Sequence, residues 1–392
     1  MAIKILHTVE SYYPAMGGMQ EVVKQLSERL AALGHDVTVA TKFHPDRKSD
    51  TLNGVKIKSF KVSGNVVRGL EGDVDSYQSF LLNSEFDIVT NFAAQQWATD
   101  IALPILDKIK GKKVSVPTGF SGFYWPEYQQ YFENMKSWMK QYDLNVFLSD
   151  DYRDINFARD NAITKNIIIP NGAAEDEFSV QPRVDIRKKL GIPADAFLLL
   201  HVGSYSGVKG QAEACKIFLQ SKEKNVYLLL VGNSNEIFEQ RYWRKVQLPM
   251  LLKAPWGKKK KIKITHDLTR EETVAAYHAA DLFLFPSNIE CSPIVLFECM
   301  AAKTPFLTTD VGNSKEIIAW SNAGLLLPTS IDERGFSHAD ISKSTLMLDD
   351  LIRNKQKREE LIANGFQAWK TKFTWEVIAK KYEESYLNLL KQ

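Results

Sequence analysis

The sequence predicts an α/β protein made of two successive doubly wound parallel-sheet domains that face each other across a cleft. Three observations predict this class. Short apolar runs alternate with stretches of helical periodicity along nearly the whole chain, the pattern of consecutive βαβ units. The alternation breaks once, at the turn dipeptide Asn171-Gly172 and the polar run 173–184, and then restarts. The 392 residues also exceed what one hydrophobic core usually organises.

Taken in order, residues 3–8 form the first strand. A loop ending in Gly17-Gly18 leads into a helix over 21–33, with Val22, Val23, Leu26, Leu30 and Leu33 on one face and Gly34 as its stop. Residues 36–41 are the next strand. In this unit the two glycines would let the backbone approach a ligand closely, although an ordinary tight turn is the better account of a lone glycine pair. Strands follow at 55–62, 86–90, 114–117, 145–149 and 166–170, with helices at 97–110 (kinked at Pro104), 128–142 and 151–161. Asp73-Val74-Asp75 reads as loop rather than as a metal site. After the break, strand 197–203 runs into a turn holding Gly207, Lys209 and Gly210, then helix 211–221. Strands at 225–232 and 262–265, helix 269–280 and strand 282–285 continue the grammar. A helix from Pro293 to about Ala302, strands 305–309 and 324–328, and helices 340–364 and 375–390 complete it.

Hydrophobic residues make up 44% and charged residues 25%, with a net charge of +3, so composition gives no case for nucleic acid as a partner. Cys215, Cys291 and Cys299 form no CxxC pair and fit a reduced compartment. The opening MAIKILHTVE lacks signal-peptide character, and no apolar run reaches ~18 residues. The expected location is the cytoplasm, with room for contact with the inner face of a membrane. Residues 241–261 mix Trp243 and Trp256 with many cations, which suits contact with an anionic membrane or a lipid-linked acceptor, although a solvated insertion is the better account. His7, His201 and His266 show no ligand spacing, so no metal is expected; His7 reads as a core histidine or as a contact to an acceptor.

Residues 281–305 carry the most pointed chemistry. A strand closed by Pro286 feeds a loop and then Ser292-Pro293, a favoured N-cap followed by a favoured first helical residue. A helix start offers unpaired amides and a partial positive charge to an anion. Glu290 and Glu298 bracket that start. A diphosphate lying between two hydroxyl-bearing sugars fits amides flanked by carboxylates. A buried strand–loop–helix with two solvated glutamates fits the spacing as well.

Together, five segments resemble the retaining GT-B glycosyltransferases of family 4, with their two Rossmann-like domains, over nearly the whole chain. Residues 290–298 (ECSPIVLFE) look like the family's E-x7-E motif. Gly17-Gly18 with the following helix and Leu33-Gly34-His35-Asp36-Val37 resembles its opening, and Ile169-Pro170-Asn171-Gly172 its interdomain hinge. Gly203 with Lys209-Gly210 is similar to its phosphate-binding strand and turn, and Phe373-Thr374-Trp375 to the start of its final helix. The expected domains are 1–172 and 173–370, with a terminal helix in 371–392 packing back on the first.

The resemblance implies transfer of a hexose from a UDP- or GDP-linked sugar to a glycan or lipid-linked acceptor, in cell-surface polysaccharide or lipopolysaccharide assembly, without metal. It implies catalytic roles for Lys209 and Glu290. It implies a donor site of Gly17, Gly18, Gly203, Ser204, Lys209, Cys291, Ser292, Pro293, Ile294 and Glu298, with Glu298 on the ribose hydroxyls and Glu290 on the donor sugar. Thr118 and Gly119 fall on the acceptor side, followed by Phe120, Phe123, Tyr124, Trp125 and Tyr128, which suit sugar stacking or core packing equally. Three positions depart from the family pattern. Ser204 stands where an Arg is usual, Asn91 and Phe92 where many members carry two histidines, and Thr118 where many carry a His. These departures motivate a rival reading: a GT-B-fold binding partner of another glycosyltransferase, with little or no activity of its own. A dinucleotide oxidoreductase lacks its GxGxxG turn here.

Overall fold

The computed structural model describes residues 2–233 and 261–392. The chain divides into two compact units, Met1–Asn171 with Trp375–Gln392, and Gly172–Thr374. Residues 241–260, which carry most of the Trp- and Lys-rich segment singled out above, lie outside the described residues.

The first unit runs β1 (Lys4–Thr8), α1 (Gly18–Ala32), β2 (Asp36–Lys42), β3 (Thr51–Leu52), β4 (Val55–Phe60), β5 (Val62–Asn65), β6 (Gly69–Gly72), α2 (Val74–Asn83), β7 (Ile88–Phe92), α3 (Trp97–Asp100), β8 (Lys112–Val116), α4 (Gln129–Gln141), β9 (Leu144–Phe147), α5 (Arg153–Asp160) and β10 (Asn166–Ile168). Its main sheet has the order β10-β9-β8-β7-β1-β2-β4-β3, parallel except for the β3–β4 pair. The central strands are covered on both faces, which is why β7 buries all five of its residues. Winding reverses between β1 and β7, the two strands on either side of the switch.

The second unit runs α6 (Glu175–Phe178), α7 (Ile186–Leu190), β11 (Phe197–Val202), α8 (Gln211–Gln220), β12 (Val226–Val231), β13 (Lys261–Thr265), α9 (Arg270–Ala279), β14 (Leu282–Phe285), α10 (Ile294–Ala301), β15 (Phe306–Thr308), α11 (Ser314–Ser321), β16 (Gly324–Leu326), β17 (Thr329–Ile331), β18 (Ser337–Ala339), α12 (Ile341–Arg353) and α13 (Lys355–Lys372). Its sheet, order β13-β12-β11-β14-β15-β16, is parallel throughout and reverses winding between β11 and β14. Alternate residues go to opposite faces: Leu198 and Leu200 join Phe283, Phe285 and Phe297 in one core, while Leu199 joins Leu228, Leu282 and Phe218 in the other.

The last helix, α14 (Trp375–Leu390), belongs to the first unit and packs on α1. His7 is fully buried between them, with Nδ1 2.8 Å from Ser27 Oγ and Nε2 3.3 Å from Tyr386 Oη. Arg29–Glu376 (2.7 Å) and His35–Glu383 (3.0 Å) flank it. His7 is therefore a core residue, and burial pushes its pKa down to about 3.

Short elements the sequence did not show, such as α6, α7, α11 and the β17–β18 hairpin, fill the gaps, and four stretches differ from the sequence expectation. Asp73-Val74-Asp75 is not a loop: Asp73 takes the N-cap position of α2, whose Tyr77 and Leu81 are buried. The strand 55–62 breaks at Lys61, where the chain turns into the β5–β6 hairpin. The helix 97–110 is a single turn, α3, then a 3₁₀ segment Leu103–Lys108 around Pro104, which has no N–H to donate to an α-helical ladder. The helix 340–364 divides at Asn354, whose side chain accepts a bond from Lys357 N at 2.9 Å and so starts α13 afresh.

Candidate active site

Ligands of doubly wound sheets bind beyond the carboxyl ends of strands where the winding reverses. In the second unit that point is the end of β11 and β14. Gly203 leaves β11, and a Cβ there would lie 3.1 Å from Lys209 Cβ. The turn is tied down by Gln211 Nε2, which donates to the carbonyls of Gly203 (3.1 Å) and Ser204 (3.0 Å). Gly210 closes the turn at φ +78°, and a Cβ on it would come within 2.0 Å of Pro286 O, so only glycine fits. Asn288 N donates to Val208 O at 2.9 Å, joining this turn to the loop after β14.

That join brings Lys209 to Glu290. Lys209 Nζ donates to Glu290 Oε1 at 2.7 Å, and Ser287 Oγ lies 2.9 Å from the same oxygen. Both charged groups are largely covered, with side-chain exposures of 27% and 12%. His201 sits beside them on β11, fully buried. Its Nδ1 is 2.9 Å from Leu284 O, so that nitrogen carries the hydrogen, and burial lowers its pKa to about 4.

Four residues beyond Glu290, α10 begins. The expected cap is corrected here. Ser292 does not hold the N-cap position; its Oγ takes a hydrogen bond from Asn313 Nδ2 at 3.2 Å, and Asn313 N donates to Cys291 O at 2.8 Å. Pro293, with ψ 109°, occupies the N-cap position, and Ile294 is the first helical residue. The amides of Ile294 and Val295 open the helix without intrahelical acceptors. Glu298, one turn in, is buried among Leu296, Phe297, Cys299 and Met300 and pairs with Arg270 Nη2 at 2.6 Å.

In the first unit the corresponding switch point is a cleft of about 260 Å³ at the ends of β1, β7 and β8. Val9, Glu10, Ser11, Gln20, Gln95, Gln96, Thr118 and Ser121 are among the residues lining it. Four lining residues that are not glycine hold left-handed backbone: Ala93 (φ 59°), Gln95 (64°), Thr118 (59°) and Phe120 (50°). Such conformations cost about 1–3 kcal/mol each and gather at ligand sites. Gly119 N donates to the buried carboxylate of Asp154 at 2.8 Å, which fixes the Thr118 turn. Gly17 and Gly18 precede the lining residues Met19 and Gln20. A Cβ on Gly17 would meet only the Gln20 side chain, and one on Gly18 nothing within 4 Å, so the protein's own packing demands neither glycine. Asn91, where many members carry histidine, links Thr8 and Tyr142 through buried hydrogen bonds of 2.7 and 2.9 Å. Of the aromatic set, Phe120 and Tyr128 are core, while Phe123, Tyr124 and Trp125 border an open groove.

The structure thus joins Gly203, Ser204, Lys209, Glu290, Cys291, Ser292, Pro293, Ile294 and Glu298 around one switch point, and Thr118 and Gly119 belong to another within the first unit. Sequence reasoning missed Glu10, Gln95 and Gln96 in the cleft, and Ser287, Arg270 and Asn313 around the second site. The capping box Thr269-x-x-Glu272 marks where Arg270 is held and was the one available signal.

Two parallel-sheet units of this build define the GT-B class of glycosyltransferase folds. Sucrose-phosphate synthase from Thermosynechococcus elongatus is similar over 99% of both chains, with a TM-score of 0.80 at 19% identity. Alr3699/HepE of Anabaena, solved in complex with UDP and glucose, is similar over 98% of this chain and all of its own, with a TM-score of 0.75 at 16% identity. The family described as Glycosyltransferase Family 4 matches residues 16–177, and Glycosyl transferases group 1 matches residues 182–368. The chain belongs to the family 4 glycosyltransferases. Among curated relatives, it is 25% identical to the lipopolysaccharide 1,2-N-acetylglucosaminetransferase of Salmonella typhimurium over 56% of each protein. It spans little more than half the length of the first curated relatives it matches.

Proposed function

We propose that this protein is a retaining, metal-independent hexosyltransferase. Its donor is a UDP- or GDP-linked sugar, and its acceptor a glycan or lipid-linked sugar of a growing lipopolysaccharide or surface polysaccharide. It works at the cytoplasmic side of a membrane. The observation that carries this reading is the Lys209–Glu290 pair at the β11–β14 switch point, four residues ahead of the opening of α10. In the reaction the sugar C1–O bond to the diphosphate breaks and the acceptor oxygen bonds to C1 on the same face. The acceptor proton leaves with the departing phosphate oxygen. The diphosphate gains negative charge as it departs. A fixed ammonium at Lys209 and the amides of Ile294 and Val295 stabilise that charge where it develops. Glu290 holds the ammonium in place before the donor arrives. Thr118, Gly119 and the cleft in the first unit would take acceptor hydroxyls. A relative that acts in lipopolysaccharide glycosyl transfer and a similar structure solved with UDP and glucose support the substrate class.

A thermal-shift series with UDP, GDP, ADP and their sugars tests the reading. A nucleotide at ~100 times its dissociation constant adds about 2.7 kcal/mol to stability. Stabilisation by UDP or GDP is expected, and none by any of the set would end the proposal. Ser204 in place of a cationic residue favours a second reading, a partner without turnover. Slow nucleotide release from the bound donor, abolished in Glu290→Ala, supports the enzyme. Binding without release supports the partner.

A further inference from the structure

We infer that Gln95 is a specificity-determining residue of the cleft in the first unit, and that its carboxamide NH2 group donates a hydrogen bond to one hydroxyl of the acceptor sugar. The buried pair Tyr131 and Asp100 positions it. This rests on the glycosyl-transfer reading above, which gives that cleft to the acceptor.

Gln95 follows β7 and lines the cleft. Its φ of 64° is rare for a residue with a side chain and persists only where the surroundings enforce it. Both of its backbone polar groups end on side chains from elsewhere in the unit. Its N–H donates to Tyr131 Oη at 3.0 Å, and its carbonyl accepts from Asn65 Nδ2 at 3.2 Å. Tyr131 Oη in turn donates to Asp100 Oδ1 at 2.8 Å, while Val66 N donates to Asp100 Oδ2 at 3.1 Å. Tyr131 and Asp100 are both buried. Burial raises the pKa of Asp100 to about 6, so at neutral pH it is ionised and accepts both bonds. A buried carboxylate that lost such a donor would be costly, which makes the arrangement stiff.

The side chain is held by its oxygen. Gly122 N donates to Gln95 Oε1 at 3.1 Å, and Ser121 Oγ lies 3.4 Å from the same atom. A backbone N–H meets only an acceptor, which fixes which end of the carboxamide is the oxygen. A Cβ on Gly122 would fall 2.5 Å from Gln95 Nε2, so the glycine leaves the carboxamide its room. Gln95 Nε2 has no hydrogen-bond partner among the described residues, and its two N–H donors remain for a ligand. Its neighbour Gln96 is the contrast. There Nε2 donates to the carbonyls of Phe92 and Ala93, and Oε1 accepts from Glu10 N, so the whole amide is spent on the fold.

The rest of the lining decides what those donors meet. Glu10 is the one charged residue in it. Its carboxylate repels a phosphate or carboxylate that would otherwise accept from Gln95. A hydroxyl meets no such conflict, because its oxygen accepts from Gln95 while its hydrogen donates to an oxygen of the cleft. Sites that bond a hydroxyl reject the analogue that lacks it.

The test adds saturating nucleotide to the full chain and titrates in methyl glucoside, galactoside and mannoside, each beside its monodeoxy analogues, by calorimetry or NMR. Wild type should bind at least one hexoside, and at least one of its monodeoxy analogues should bind about fivefold more weakly, the effect of one neutral hydrogen bond. In Gln95→Met one such ratio should fall close to one. Gly122→Ala, which crowds the carboxamide without removing it, and Tyr131→Phe, which deletes the oxygen that holds Gln95 N, should each shrink the same ratio. A general loosening would weaken parent and analogues together and leave every ratio intact. Unchanged ratios in Gln95→Met, or in Gly122→Ala if the methionine variant does not fold, overturn the assignment. An unchanged ratio in Tyr131→Phe beside a collapsed one in Gln95→Met overturns the positioning role. If nucleotides bind but no hexoside does, or every analogue binds like its parent, the glycosyl-transfer reading stands and the role of Gln95 falls. If no nucleotide binds, that reading itself has failed.

Discussion

Replacing Lys209 with methionine removes the ammonium while keeping most of the aliphatic stem, and its two consequences differ in size. For folding, the change breaks an ion pair at 2.7 Å whose lysine side chain is 27% exposed. Glu290 keeps Ser287 Oγ at 2.9 Å, and its own exposure of 12% leaves a path to water. Exposed pairs contribute about 1 kcal/mol or less and breaking a fully buried one costs about 3–5 kcal/mol, so this largely covered pair should cost about 1–3 kcal/mol. The variant should therefore fold, with a lowered melting temperature. For turnover, the same change deletes one preorganised charge at a leaving diphosphate. Loss of a single such donor costs about 10²–10³ in kcat, or about 2.7–4 kcal/mol. The measurement is the initial rate of nucleotide release at saturating donor, beside urea unfolding of the same preparations. A variant that is folded at the assay temperature and still turns over within about threefold of wild type would refute the assignment of Lys209 to the leaving group.

Two further outcomes follow from the geometry. Gly210→Ala forces a Cβ to within 2.0 Å of Pro286 O at φ +78°; strain and crowding together should cost about 2–4 kcal/mol in denaturant unfolding and weaken nucleotide binding, since the turn carries Lys209. A wild-type midpoint would show that the turn is not pinned to the β14 loop. His7 binds its proton only near pH 3 when folded and near 6.5 when unfolded, so the unfolded chain takes up the extra proton between those values. Stability from this site is complete above pH 6.5 and is lost as the pH falls toward 3, by about 1.4 kcal/mol per pH unit. Denaturant unfolding of His7→Gln between pH 6 and 4 should show a slope shallower than wild type by that amount, and an identical slope would contradict the buried, neutral imidazole.

Residue chemistry accounts for what the sequence made legible. Strands covered on both faces read as unbroken apolar runs, and LLLH in β11, YLLLV in β12 and LFLF in β14 stand out for that reason. Helix α2 does not stand out, because its buried face is only Tyr77 and Leu81 and its start looks like an acidic loop. The break at Asn354 is equally hidden, since a cap within a long amphipathic run changes the path without changing the periodicity. Lys209 and Glu290 were each visible as motif residues, but not as a contact. They are 81 positions apart, and their meeting depends on β11 lying next to β14. Arg270 was invisible as the partner of Glu298, and Glu177 as the partner of Arg270, because the three lie on three different elements. Left-handed Thr118 and Phe120 could not be read at all, because side chains that disfavour that conformation give no signal of adopting it.

The two switch points also differ in a way that follows from residue type alone. The cleft of the first unit is lined by amides, hydroxyls and one carboxylate, Glu10, with no lysine or arginine among its lining residues. Burial raises the pKa of Glu10, and Lys42 opposes this. Such a lining offers donors and acceptors without a fixed positive charge, and it suits a neutral polyol better than a phosphate. The second switch point has a lysine, a helix start and, behind them, a carboxylate pair around an arginine. With its lysine and helix start it suits an anion. Even if the residues at the two sites were exchanged within identical sheets, the preferences would move with them, because the parallel sheet supplies only the position at its strand ends. What each position binds is decided by a few side chains. On the function proposed above, Ser204 in place of a cation leaves Lys209 as the charge on which the anion site depends.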